Sequence, residues 1–138
     1  MYRDIKVKVN NVQPGTQLLL KVSASVSCYV YIINVGSSGN ITTLIPNAHD
    51  KNNYLQSGQY LQFPSPKSGY EFELDETCGK ETVVVLAYTE QLTDVEQAKS
   101  DYADLDRKER DISIKRHSSL LRFLEIQFTV SCVQETVK

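Results

Sequence analysis

The 138 residues carry 15 Lys+Arg against 17 Asp+Glu, a net charge of −2, so the chain lacks the basic footprint of a nucleic-acid binder. With 41% hydrophobic and 23% charged residues it has the balance of one globular domain. Such a chain buries roughly two-thirds of its unfolded surface, and no apolar run nears the roughly 18–20 residues of a membrane span.

Strand signals dominate the first part of the chain. The opening residues show no apolar stretch of the signal-peptide kind, so no leader is expected in them. Asp4 to Val9 alternates with period two, placing Ile5, Val7 and Val9 on one face. Asn10, Asn11, Pro14 and Gly15 form a turn, and Leu18, Leu20, Val22 and Ala24 resume the alternation. Cys28 to Val35 is apolar on both faces, the mark of a central strand. Gly36 to Asn40 is a hairpin loop, and Ile41 to Ile45 returns antiparallel.

Pro46 ends that strand, because proline has no amide to give to a ladder. A polar loop from Asn47 to Ser57 precedes a short strand, Gln59 to Phe63. Pro64, Pro66 and Gly69 break the chain again before Tyr70, Phe72 and Leu74 alternate with acidic residues. Thr77 to Lys80 reads as a turn, Thr82 to Tyr88 as a second central strand, and Leu124 to Val130 as the last strand. About eight strands spaced this way predict a mainly β fold, an antiparallel β-sandwich filling residues 1–138 as a single domain.

Residues 93–121 interrupt the pattern and predict a helical excursion before the last strand. Thr93-x-x-Glu96 has capping-box spacing, and Leu92, Val95, Tyr102 and Leu105 recur at helical intervals. Ser113 to Leu121 suits a second short helix. Asp94 to Arg116 holds seven acidic and six basic residues, which describes either a solvated helix face or a docking surface.

Chemistry-bearing sets are sparse. Cys28, Cys78 and Cys132 with His49 and His117 supply the parts of a thiol hydrolase. They lack a nucleophile-elbow context, and strand-end thiols are more often packing groups. No Cys pair has zinc-ligand spacing, so no metal and no cofactor is expected. Glu71, Glu73 and Asp75 share a strand face, which a polar outward surface explains as well as paired-carboxylate catalysis does. Asp50 with Asn47, Asn52 and Asn53 offers too few charges for calcium. Asn40-Ile41-Thr42 matches a glycosylation sequon. Tyr54, Tyr60 and Tyr70 lie near the loop, either as core residues with wetted hydroxyls or as a ligand shelf.

The order of motifs from Tyr29 to Phe63 is distinctive. A Tyr-rich strand (YVYIINV) leads through a Gly turn to ITTLIPN, then a polar loop and YLQSGQYLQFP. With the lead-in strand before it and Gly79-Lys80-Glu81 plus the Val83 to Tyr88 strand after it, this resembles the bacterial family of domains of unknown function numbered 4384, over about residues 12–90. The resemblance implies a β-sandwich accessory domain, found with caspase-like peptidases, protein kinases or envelope lipoproteins. It brings no catalytic residues. Tyr29, Tyr31, Pro46, Asn47, Gly58 and Pro64 are the positions that map onto the family pattern, and the charged helical segment departs from it.

The expected function is therefore a non-catalytic interaction domain that binds another protein or a neighbouring domain of a larger bacterial protein. A small-ligand or glycan receptor is the alternative, and a Cys/His hydrolase the third reading. The candidate binding residues are Asn47, His49, Asn52, Tyr54 and Tyr60. The family setting favours the cell envelope or periplasm over the cytoplasm. A disulfide from Cys28 to Cys132 or Cys78 would accord with that setting.

Overall fold

A computed structural model of the chain describes residues 2–5, 11–12, 17–66, 68–73, 79–105 and 119–130. In chain order the first strands are β1 (Tyr2–Ile5), β2 (Asn11–Val12), β3 (Gln17–Leu18), β4 (Leu20–Ala24), β5 (Cys28–Val35) and β6 (Ile41–Ile45). They are followed by β7 (Tyr54–Leu55), β8 (Tyr60–Phe63), β9 (Phe72–Glu73), β10 (Gly79–Tyr88), the helix α1 (Gln97–Leu105) and β11 (Leu120–Val130).

The two runs that are apolar on both faces do become inner strands. β10 lies between β5 and β11 in a sheet ordered β2-β11-β10-β5-β6, antiparallel except where β2 joins β11. β4 lies between β1 and β8 in a second, antiparallel sheet, and β3 pairs with β9 in a two-stranded ribbon.

Side-chain alternation shows why both faces of β5 and β10 are apolar. Val30, Ile32, Val83, Val85 and Ala87 pack against Leu20, Val22 and Ala24 of β4 and Phe63 of β8. That is the interior of a two-sheet sandwich. On the opposite face Tyr31, Ile33, Val84, Leu86 and Tyr88 pack under Leu92, Ala98 and Tyr102. The helix thus forms a third layer over the sheet's outer face.

Polar anchors fasten that layer. The Leu92 amide donates to the Tyr31 hydroxyl at 2.7 Å, and the Tyr88 hydroxyl donates to Asp101 Oδ2 at 2.6 Å. Gln97 Nε2 donates to Asp101 Oδ1 at 2.8 Å, and the Tyr31 and Tyr88 rings meet edge to face at 5.3 Å. Burial pushes the Tyr88 hydroxyl pKa up, as do the Asp101 hydrogen bond and charge.

Local details depart from the sequence reading at several points. Asn11, read as part of a turn, lies in β2, and Gly79 and Lys80, read as the end of a turn, open β10, because both segments pair with β11. The strand expected from Leu18 to Ala24 divides at Leu19, because β3 and β4 pair with different strands. The helix cap comes from Asp94, whose Oδ1 accepts the Glu96 amide at 3.0 Å, in place of the Thr93–Glu96 box. A tight turn leads in, with the Gln97 amide donating to the Asp94 carbonyl at 3.0 Å. The last strand begins at Leu120, inside the span read as the end of the helical excursion, because cross-strand pairing with Tyr88 claims that residue. The rest of the second expected helix, 113–118, lies outside the described residues.

Candidate functional site

The site grows from an interrupted sheet edge. β6 and β7 both pair with β5, and between them the chain leaves the sheet over residues 46–53. Asn53 restores the pairing. Its carbonyl accepts the Val30 amide at 2.8 Å, while its buried Nδ2 donates to the Val30 carbonyl at 3.0 Å. One asparagine thereby satisfies both backbone groups of a core strand residue.

Asn47 caps the loop, as an asparagine at a strand end can. Its Oδ1 accepts the His49 amide at 2.7 Å and the Asp50 amide at 2.8 Å. Its Nδ2 donates to the Leu44 carbonyl at 2.8 Å and to the Tyr70 hydroxyl at 3.2 Å.

Asp50 ties the loop to the segment that follows β8. Its side chain accepts the Ser65 amide at 2.9 Å, the Ser65 hydroxyl, and the Tyr70 hydroxyl at 2.6 Å. Asp50 is buried, with 8% exposure. Burial pushes its pKa up, but the Ser65 hydroxyl, the Tyr70 hydroxyl, the Ser65 amide and the charge of His49 outweigh burial and hold it below 3.8. The Tyr70 hydroxyl is pushed up to about 12 by burial and by donation to Asp50.

The expected site residues fall into three places. Asn47 and His49 share the loop, with the exposed His49 ring stacked on Tyr70 at 5.1 Å and 21°. Tyr70 in turn meets Phe72 edge to face at 5.3 Å. Asn52 is exposed, and its Oδ1 accepts the Tyr54 amide at 3.2 Å. Tyr54 is 43% exposed, and its ring leans on Tyr29 at 5.0 Å, on the helix side of the large sheet. Tyr60 is 60% exposed on the other sheet, with Lys21 Nζ at 5.4 Å from its ring. Tyr54 and Tyr60 therefore belong to different layers and form no common shelf, whereas Tyr70 joins the loop.

The other chemical candidates are placed as follows. Cys28 is fully buried in the sandwich core, while Cys78, Cys132 and His117 lie outside the described residues. Among the described residues no group of three His, Cys, Asp or Glu converges. The Asp50 oxygens face hydroxyl and amide donors in place of a cation. Glu71 is exposed; the side chains of Glu73 and Asp75 lie outside those described. Asn40 is exposed at the hairpin tip.

Beside the Asp50 network runs a cleft of about 420 Å³, lined by Leu18, Leu19, Pro64, Ser65, Tyr70 and Glu71 together with Ser68 and Gly69. Ser65 is the member that sequence reasoning missed. It stands between Pro64 and Pro66, which read only as a chain break, and no spacing rule couples it to Asp50, fifteen residues earlier.

The chain is thus a mainly antiparallel β-sandwich whose large sheet carries, at its edge, a pinned loop beside a cleft. The family model described as "Domain of unknown function (DUF4384)" matches residues 11–91, more than half of the chain, and the protein belongs to that family. The match takes in the loop and the cleft and stops before α1 and β11. No curated protein and no solved structure matches the chain.

Proposed function

We propose that this domain is a non-catalytic accessory module that binds another protein, or a neighbouring domain of a larger bacterial protein, in the cell envelope. The face that binds comprises the 46–53 loop and the cleft beside it. The single observation that carries this reading is the Asp50–Ser65–Tyr70 network. It fixes an irregular, surface-lying loop in one geometry before any partner arrives, which lowers the ordering cost of association. The Tyr29–Tyr54 pair favours a second reading, a glycan receptor, because a half-exposed tilted aromatic pair offers the apolar face a sugar ring takes.

The test is a photo-crosslinking residue placed at position 49 and, separately, at position 38 on the β5–β6 hairpin, in the bacterium that makes the protein. One defined polypeptide joined at 49 and not at 38, identified by mass spectrometry, supports the proposal. No adduct at 49, or the same adducts at both positions, contradicts it.

A further inference from the structure

The cleft beside the pinned loop has a polarity that its residue names conceal. Ser65 and Tyr70 each carry a hydroxyl that can both donate and accept hydrogen bonds. An ionised carboxylate can only accept, so both hydroxyl protons are committed to Asp50. The Tyr70 oxygen already accepts from Asn47 Nδ2 at 3.2 Å, so what the pair retains for a visitor is acceptor capacity, carried mainly by Ser65. Glu71, which also lines the cleft, adds a carboxylate, again an acceptor, and among the described residues no Lys or Arg pairs with it. Leu18, Pro64 and Leu19, the last 49% exposed, form the apolar part of the lining, and Ser68 and Gly69 complete it with one further hydroxyl and backbone. The cleft thus joins an apolar trough to oxygens that can accept hydrogen bonds.

We propose that this cleft receives a lysine or arginine side chain of the protein partner, its aliphatic stem on Leu18, Leu19 and Pro64 and its cationic head on Glu71, Ser65 and Tyr70. A basic side chain has this division, an apolar stem ending in a group that donates and does not accept. A carboxylate or phosphate would meet acceptors and a negative charge. A purely aliphatic side chain would cover the cleft's oxygens and leave them unsatisfied, which costs free energy. Asp50 acts here as a positioning residue, because it turns the two hydroxyls without touching the visitor. The inference rests on the partner-binding reading above and names the chemistry of the contact.

The test uses isotope-labelled protein and three blocked hexapeptides of alanine and glycine, identical except for a central lysine, norleucine or glutamate. The lysine peptide is expected to give saturable amide shifts at Ser68, Gly69, Tyr70 and Glu71, with the other two binding about fivefold or more weakly. Glu71→Lys, an exposed change that keeps the fold, is expected to weaken the lysine peptide by about tenfold or more. Equal shifts from the norleucine or glutamate peptide, or none from the lysine peptide, would overturn the inference. The crosslinking experiment separates the two proposals. Adducts at position 49 that persist undiminished in the Glu71→Lys chain overturn the cationic inference and leave the partner reading intact. Adducts lost in Glu71→Lys, together with the lysine-peptide shifts, support both.

Discussion

The Tyr70 hydroxyl donates to the Asp50 carboxylate at 2.6 Å, across twenty residues of sequence and from the far side of the break marked by Pro64 and Pro66. That bond, with the two from Ser65, makes a surface loop part of the folded framework. Removing the carboxylate leaves two hydroxyls and an amide without their common acceptor. Asp50→Ala is expected to cost about 2–4 kcal/mol, since hydrogen bonds to a charged group contribute more than neutral ones. A shift of the urea midpoint, with faster amide exchange at His49 and Ser65, checks this.

Acid dependence follows from the same carboxylate. Its folded pKa lies below the ordinary 3.8, so in acid the unfolded chain takes up the proton first. The contribution of Asp50 is present above pH 3.8 and fades as pH falls through the folded value. Stability measured in urea from neutral pH to pH 2 should show wild type and Asp50→Asn converging at the acid end. Parallel curves would mean that Asp50 is not ionised and bound as described.

At the alkaline end the sign reverses. Tyr70 titrates at about 12 in the folded protein against 10.0 in an open chain, so between those values the unfolded state loses its proton first. The stability Tyr70 contributes is present below pH 10.0 and is lost as pH rises towards about 12. Tyr70→Phe should flatten part of this loss. Tyr88, also pushed up, keeps the remainder.

The helix layer depends on two tyrosine hydroxyls that face it from the sheet. Tyr31→Phe keeps the edge-to-face packing on Tyr88 but strips the Leu92 amide of its acceptor. The expected loss is about 1–3 kcal/mol, the cost of a buried unsatisfied donor. Hydrogen exchange should show the opening confined to Leu92 and α1, with the β5 and β10 amides still protected.

Gly79 opens β10 with φ of 126°, and a Cβ there would stand 3.0 Å from the Ser37 Cβ. Gly79→Ala is expected to destabilise by about 1–3 kcal/mol through backbone strain and this contact. A thermal melt of Gly79→Ala with and without Ser37→Gly, which removes the facing Cβ, separates the contact from the cost of positive φ.

Much of the fold was legible because period-two alternation reports burial directly. Val30 and Ile32 against Tyr31 and Ile33, and Val83 and Val85 against Val84 and Leu86, announced two covered faces. What alternation does not encode is which strand a segment pairs with, so Leu18 and Leu20 read as one strand although they serve different sheets. The site was half legible. Asn47 and His49 stood in a polar loop after Pro46, a recognisable place for recognition residues. Their connections to Tyr70, made directly and through Asp50, and to Ser65, made through Asp50, are tertiary contacts between segments that have no shared periodicity. Tyr54 and Tyr60 seemed neighbours because they are close in sequence, yet the chain crosses from one sheet to the other between them.

The most direct test of the pre-formed recognition face is the backbone order of residues 47–53 by NMR relaxation, in wild type and in Asp50→Asn. The account predicts order parameters of about 0.85 in wild type, matching the strands, and a clear fall in the variant. Values below about 0.6 in the wild-type loop, or no change on losing the carboxylate, would contradict it.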